Sequence, residues 1–165
     1  KRKYQRSSIA HNMLTFDEKN TSEVWSNFRV ARRVSTIYKI IENNETKLSI
    51  EGGYSDLNGN KAARKFIFSD QKLIIEDTAY SPSISYSYFH LHPSITITKM
   101  QDGVINFQDK ESNLIASLTH THRDLKVIDS KWCESFGLEL ENRILRFTLS
   151  NNNPQTGRIE VQFNP

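Results

Sequence analysis

Short runs in which apolar and polar residues alternate are the strongest constraint on how this chain can fold. Residues 145–150 read LRFTLS, residues 158–163 read RIEVQF, and residues 95–99 read ITITK. A period of two places the apolar side chains on one face, as in a β-strand with one buried side. No segment of ten residues or more repeats with the period of a helix, so the pattern indicates strands throughout.

Turn-forming residues separate these runs at about strand spacing. Glu42–Glu45, Asp56–Asn60 and Asn151–Gly157 are rich in Asn, Asp or Gly. The spacing predicts about twelve strands, which favours an all-β domain: a large antiparallel β-sandwich of two packed, curved sheets. Because the chain starts on a charged segment without an initiator Met, we expect residues 1–6 to be a leader from a missing N-terminal domain. Residues 7–165 would form the sandwich.

Composition narrows the partners. Cys133 is the single cysteine, which excludes an internal disulfide, and 165 residues can bury a sizeable core without one. The net charge is +3, and cations concentrate in residues 1–6 and at Arg29, Arg32 and Arg33, which makes a polyanion, such as an acidic polysaccharide, a plausible partner. We find no nucleic-acid-binding motif and no apolar run of about 18 residues, so we expect neither nucleic acid nor a membrane as partner.

The segment Ser7–Arg33 holds the densest mixture of functional side chains. It contains a His-Asn pair, a short alternating strand, a Glu-Val-Trp turn and a basic strand. This order resembles the opening of the C-terminal β domain of the heparinase II/III-like polysaccharide lyases. Further resemblances follow in family order along nearly the whole chain: Gly52-Gly53-Tyr54, Arg64 with Phe68, Leu73–Asp77, Phe89–Pro93 and Phe136-Gly137.

The resemblance implies a fold and an activity. In that family an N-terminal (α/α) toroid of helices precedes the β-sandwich, and the enzymes cleave uronic-acid-containing polysaccharides by β-elimination. A base removes the proton beside the uronate carboxylate, and an acid assists the departing glycosidic oxygen. Most catalytic groups lie on the toroid, so we expect a β domain that is inactive without its toroid, in a periplasmic or secreted protein. The alternative is a non-catalytic carbohydrate-binding or scaffolding β-sandwich domain.

Four residues are the candidate site. By family position His11, at the seam with the toroid, is the candidate catalytic residue, and its neighbour Asn12 is a candidate substrate-binding residue. Arg29 and Arg33 are the other substrate-binding candidates, because residues four apart share one face of a strand and guanidinium groups pair with carboxylates and sulfates. A solvated, charged strand face is the alternative for the arginines.

The resemblance also implies a divalent zinc in some members, with His11 as one ligand. The other family positions lack ligands here. Ile9 stands where a catalytic histidine precedes the pair, Ala62 at the second metal histidine, and Phe28-Arg29 near the expected aspartate. A structural zinc takes four protein ligands and a catalytic zinc takes three. We therefore expect no metal and no cofactor.

Two His-x-His pairs remain, His90/His92 and His120/His122. On a strand each pair would share a face and could chelate a metal. The simpler interpretation places them among the polar residues of a solvated sheet face.

Overall fold

Strands dominate the structure, a computed structural model that describes residues 2–25, 29–101, 103–135 and 138–164. A four-residue helix, α1 (Arg2–Gln5), and a 3-10 turn at Ser8–Ala10 come first. In the described ranges fourteen strands follow: β1 (Leu14–Phe16), β2 (Glu23–Trp25), β3 (Arg29–Ala31), β4 (Thr36–Asn43), β5 (Lys47–Ser55), β6 (Lys61–Ser69), β7 (Lys72–Tyr80), β8 (Ser85–His90), β9 (Thr96–Gln101), β10 (Val104–Gln108), β11 (Leu114–His120), β12 (Asp124–Trp132), β13 (Leu140–Thr148) and β14 (Gln155–Phe163).

The strands form two packed antiparallel sheets and one hairpin. The larger sheet has the order β4-β5-β6-β7-β14-β11-β10-β9, and the smaller has the order β1-β8-β13-β12. Among the described residues, strands β2 and β3 pair only with each other. The predicted all-β sandwich is confirmed. The described strands exceed the predicted twelve by two, because three-residue strands such as β2 and β3 are too short to show a period in the sequence.

The core lies between the inner faces of the two sheets. Leu145 and Phe147 of β13 are 1% and 0% exposed, and they pack against Phe107 and Ile159 of the larger sheet. The ring of Phe89 meets the ring of Phe147 edge-on, with 5.9 Å between centroids. The alternating runs of the sequence therefore supply this core, since every second residue of a strand faces the opposite sheet.

The outer face of the larger sheet carries opposite charges in a cross-strand row. Lys39, Glu51, Lys65, Glu76 and Arg158 lie opposite one another on successive neighbouring strands. The Lys39–Glu51 and Arg158–Glu76 ion pairs measure 2.9 Å and 2.6 Å. Exposed pairs of this kind add little stability. A one-residue slip of register would bury these charges, so the row helps to specify the pairing.

The N-terminal segment crosses the outer face of the smaller sheet. Tyr4 Oη lies 3.1 Å from Ser130 Oγ on β12, and the hydroxyl of Tyr88 on β8 donates to Glu18 Oε1 at 2.9 Å. Tyr88 is only 3% exposed although it points away from the core side chain of Phe89. The segment around Glu18 thus covers this face. The predicted division of the chain at residue 6 stays a prediction.

One row on the inner face of the larger sheet is unusual. Gly52, Arg64, Asp77 and Gly157 lie opposite one another on β5, β6, β7 and β14. The imidazole of His122 fills the space above Gly157, and a Cβ added there would lie 2.2 Å from His122 Nε2. A side chain at position 157 is therefore excluded by the ring.

The substitution Gly157→Ala tests this packing. We expect a loss of about 1–3 kcal/mol in the free energy of unfolding, because the new methyl group displaces the buried His122 ring. Urea unfolding at neutral pH measures the loss. Gly52→Ala in the same row is the matched control: its Cβ meets nothing closer than Ile37 O at 3.7 Å, so we expect little change. Equal losses for the two variants would contradict the steric account.

Candidate functional site

A buried ion pair joins the two sheets next to the candidate site. Arg64 donates from Nε to Asp77 Oδ1 at 2.7 Å and from Nη2 to Asp77 Oδ2 at 2.9 Å. The two residues are 8% and 2% exposed. Ser87 on the smaller sheet accepts from Arg64 Nη2 at 2.5 Å and donates to Asp77 Oδ2 at 2.6 Å. The carboxylate, the guanidinium and the hydroxyl therefore satisfy one another in the interior.

The same guanidinium holds the turn that contains the His-Asn pair. Nη1 of Arg64 donates to the carbonyl of Asn12 at 3.2 Å, and Oδ1 of Asn12 accepts from the His90 backbone N–H at 2.6 Å. Nε2 of His90 donates to the Ile9 carbonyl at 3.0 Å. Burial lowers the pKa of His90, and the bond to Ile9 only partly offsets this. The turn at His11 and Asn12 is thus tied to both sheets.

Tyr54 fixes the strand that follows this turn. Its hydroxyl donates to the Leu14 carbonyl at 2.8 Å, and burial raises the pKa of the Tyr54 hydroxyl, which therefore keeps its proton. Gly53, which precedes Tyr54, allows β5 to lie close to β6, since a Cβ on Gly53 would lie 2.7 Å from the carbonyl oxygen of Ala62. The Gly-Gly-Tyr element is therefore structural: it lets two strands come close and supplies one hydrogen bond.

His11 and Asn12 line an open groove of about 950 Å³, here called the N-terminal groove. Both residues are exposed. The N-terminal segment, including Arg6, forms one side of the groove, and the end of β12 with Lys131 and Trp132 forms the other. Glu139 also lines the groove and pairs with Lys131 at 3.4 Å, so the local charge is mixed. An exposed imidazole with a cation and an aromatic ring nearby can still meet a polar ligand with apolar ring faces, such as a sugar.

The structure separates the two candidate arginines. Strand β3 ends at Ala31, and Arg32 has a left-handed φ of 44°, so the alternation that would place Arg29 and Arg33 on one strand face stops there. The prediction that Arg29 and Arg33 share one strand face is wrong, and their role in substrate binding stays a prediction. Nη2 of Arg6 donates to the Arg29 carbonyl at 3.2 Å, which places Arg29 near the N-terminal groove.

Arg33 lines a second groove, bounded by β4 and β5 and containing the exposed rings of Tyr38 and Tyr80. The described residues that line the two grooves do not overlap. The structure therefore brings together His11 and Asn12 in the N-terminal groove and leaves Arg33 in the second groove. Arg29 is not among the described residues that line the N-terminal groove, and only its backbone carbonyl bonds Arg6 at the side of that groove.

The residues present do not fit a zinc of the family type. Ala62, at the position of the second metal histidine, is 5% exposed and packs with Leu14 and Phe16 in an apolar cluster. Within the described ranges, no three His, Cys, Asp or Glu side chains converge. Phe28 lies outside the described residues. The expected absence of a cofactor stays a prediction.

The two His-x-His pairs occupy different environments. Nδ1 of His92 accepts from the backbone N–H of Ser94 at 3.2 Å, and the His92 ring meets Trp132 edge-on with 5.5 Å between centroids. His90, by contrast, turns to the Ile9 carbonyl. His92 of this pair therefore lies at the surface, and His90 is bonded to the turn.

His122 contradicts the prediction of a solvated sheet face. It is 8% exposed, follows the end of β11, and packs on Phe147 with 4.7 Å between ring centroids. Among the described residues, neither of its ring nitrogens has a hydrogen-bond partner. Burial lowers the pKa of His122 to about 4; Asp77 opposes this shift, and His120 and Arg64 add to it.

Family comparison supports the resemblance seen in the sequence. A family model described as "Heparinase II/III-like, C-terminal" matches residues 1–162. The chain therefore belongs to this family. No curated protein matches the sequence.

Solved structures share the fold at low sequence identity. A heparinase III gene product is 14% identical with a TM-score of 0.75, over 99% of this chain and 25% of its own. The heparan sulfate lyase from Pedobacter heparinus is 14% identical with a TM-score of 0.74, over 98% and 25%. A further heparinase III is 10% identical with a TM-score of 0.69, over 99% and 24%. The chain thus spans about a quarter of the length of these proteins.

No helix among the described residues is long and apolar enough to cross a membrane.

Phe136-Gly137, the last element of the resemblance, lies outside the part of the chain that the structure describes.

Removing one partner of the buried ion pair tests its role. We expect Arg64→Met to lower the free energy of unfolding by about 3–5 kcal/mol, because the Asp77 carboxylate stays buried without a cation. The double variant Arg64→Met/Asp77→Leu should lose less than the single variant, since no charge remains. Urea unfolding of both variants and of Asp77→Leu completes the cycle. Additive losses would contradict coupling between the two side chains.

Proposed function

We propose that this chain is the C-terminal β domain of a lyase-like protein that cleaves uronic-acid-containing polysaccharide by β-elimination. The family and the fold support this proposal, and the accessible His11 at the N-terminal groove is the observation that carries it. We further propose that the domain needs a helical toroid for activity, and that the protein acts in the periplasm or outside the cell.

His11 is assigned the catalytic role. An imidazole can accept or donate a proton, which is what the base or acid of a β-elimination does. The backbone N–H of His11 donates to the Ser8 carbonyl, and its carbonyl accepts from Met13, so the backbone around the exposed ring is held on both sides. This fixed backbone with a free side chain suits a group that meets a substrate at a seam between domains.

Asn12 and Arg29 are assigned to substrate binding at the N-terminal groove. Oδ1 of Asn12 accepts from the His90 N–H, and within the described residues Nδ2 has no hydrogen-bond partner, so it can donate to a sugar oxygen. Arg29 is exposed and offers a guanidinium to a carboxylate or sulfate. Arg33 would contact a polymer only where it extends to the second groove.

Binding of an acidic oligosaccharide tests the assignment of Arg29. Trp132 lines the N-terminal groove, so its fluorescence, isolated by Trp25→Phe, reports a ligand there. We expect Arg29→Gln to weaken the binding of a heparan sulfate or alginate oligosaccharide by severalfold, through the loss of about 1 kcal/mol of charge-assisted bonding. The control is Lys99→Gln, which removes the same charge on the edge strand β9. Equal weakening in both variants would leave only non-specific attraction and contradict the assignment.

Turnover tests the need for a toroid. We expect no unsaturated product from heparan sulfate, alginate or hyaluronan, because the other catalytic groups of the family lie outside the β domain. Absorbance of the unsaturated product measures the reaction. Sustained turnover by the domain alone would contradict the proposal.

The alternative is a non-catalytic carbohydrate-binding domain. Ile9 and Ala62, which replace family histidines, favour it, and so does the second groove with Tyr38, Tyr80 and Arg33. Tight binding of oligosaccharide by the domain alone, weakened by Arg33→Gln and not by Arg29→Gln, would support this alternative. Weak binding confined to the N-terminal groove would support the lyase half.

A further inference from the structure

His122 is held inside the sandwich by the loop between β11 and β12. The backbone N–H of Thr121 donates to the Arg158 carbonyl at 3.0 Å, and that of Arg123 donates to the Thr148 carbonyl at 3.0 Å. These two bonds anchor the loop on either side of the histidine. The ring lies in the space that Gly157 leaves by having no side chain.

The strands around the His122 ring each place one side chain or glycine next to it. Strand β7 supplies Asp77, which is opposite Gly157 in register, and β6 supplies Arg64. Strand β11 supplies His120, with 5.9 Å between the ring centroids. Strands β13 and β14 supply Phe147 and Gly157, which carry no charge. Asp77 is thus the one acidic group among the groups found to influence His122.

Within the described residues neither ring nitrogen of His122 has a hydrogen-bond partner, so an added proton would be unpaired unless a neighbouring group moved. Both oxygens of Asp77 are already bonded to Arg64, and Oδ2 also accepts from Ser87. The new cation would lie near the cation of Arg64, inside a region of low dielectric. Either the imidazole must leave the interior, or Asp77 must turn from Arg64 toward it. The movement of Asp77 breaks the bonds that orient the Arg64 guanidinium, and so loosens its hold on the Asn12 carbonyl.

We propose that protonation of His122 releases the turn that carries His11 and Asn12, so that acid opens the N-terminal groove of the domain. The release depends on the position of the ring between Gly157 and the Arg64–Asp77 pair. This inference rests on the proposed function in one respect: the proposed function gives a biological role to the turn that is released.

The direction of the pH dependence follows from burial. The pKa of His122 is lowered to about 4 in the closed structure, against about 6.5 for a solvated imidazole, so protons favour the open form. The closed form is fully favoured above about pH 6.5 and loses its advantage as the pH falls toward 4. Over that range the ratio of open to closed molecules should rise by about a hundredfold.

Hydrogen exchange of the His90 backbone amide measures the release, because this amide donates to Asn12 Oδ1. We expect its protection in the wild-type domain, corrected for intrinsic exchange, to fall by between about tenfold and a hundredfold from pH 7 to pH 4.5. The amide of Ile105, in the core between β9 and β11, should keep its protection in the same samples.

Two variants without an ionisable group at position 122, His122→Phe and His122→Leu, should reduce the pH dependence at His90 by at least about fivefold. The remainder belongs to the His90 imidazole, whose pKa burial also lowers. The Leu variant serves if the larger ring of Phe prevents folding. His92→Phe is the matched control, because His92 is exposed, and it should behave as the wild type.

An unchanged pH profile in a folded His122 variant would overturn the proposal. An equal loss of protection at Ile105 would also overturn it, since acid would then unfold the whole domain. The measurement needs no saccharide, so a domain that fails to bind oligosaccharide still tests this inference independently.

Discussion

The buried pair of Arg64 and Asp77 is the interaction on which the rest of the structure depends. It lies between the sheets, where an unpaired charge would be strongly destabilising, and each hydrogen bond around it satisfies a group that water cannot reach. Ser87 extends the pair to the smaller sheet, and the Asn12 carbonyl extends it to the N-terminal turn. The charges therefore fix the relative position of three parts of the chain that apolar packing alone would allow to slide.

This constraint explains where the candidate site lies. The N-terminal segment covers the outer face of the smaller sheet, turns at His11 and Asn12, and joins the edge of that sheet as β1. Since the turn is bonded to Arg64 and to the His90 backbone, the backbone that carries the exposed imidazole of His11 is held in place. A surface of this kind can meet a second domain or a polymer without first becoming ordered, which favours binding.

The sequence predicted the fold well, and the roles assigned to the site residues stay predictions. Alternation identified the sandwich, because a period of two has few other solutions, and the family order identified the segment with His11. The pairing of Arg64 with Asp77 was within reach: both lie five positions from the ends of a tight hairpin, so they must be opposite. The burial of His122 could not be predicted, because it depends on a glycine in a distant strand, Gly157. The separation of Arg29 from Arg33 could not be predicted either, because it depends on the left-handed backbone of Arg32.

The most direct test of the central role of the ion pair is the backbone mobility of residues 11–13 in Arg64→Lys, measured by NMR relaxation. Lysine keeps the charge near Asp77 but lacks the planar fork that reaches both the carboxylate and the Asn12 carbonyl. We expect lower order parameters at residues 11–13, with those of β13 and β14 unchanged. Unchanged order parameters at the turn would show that the ion pair does not hold the site, and would contradict the account.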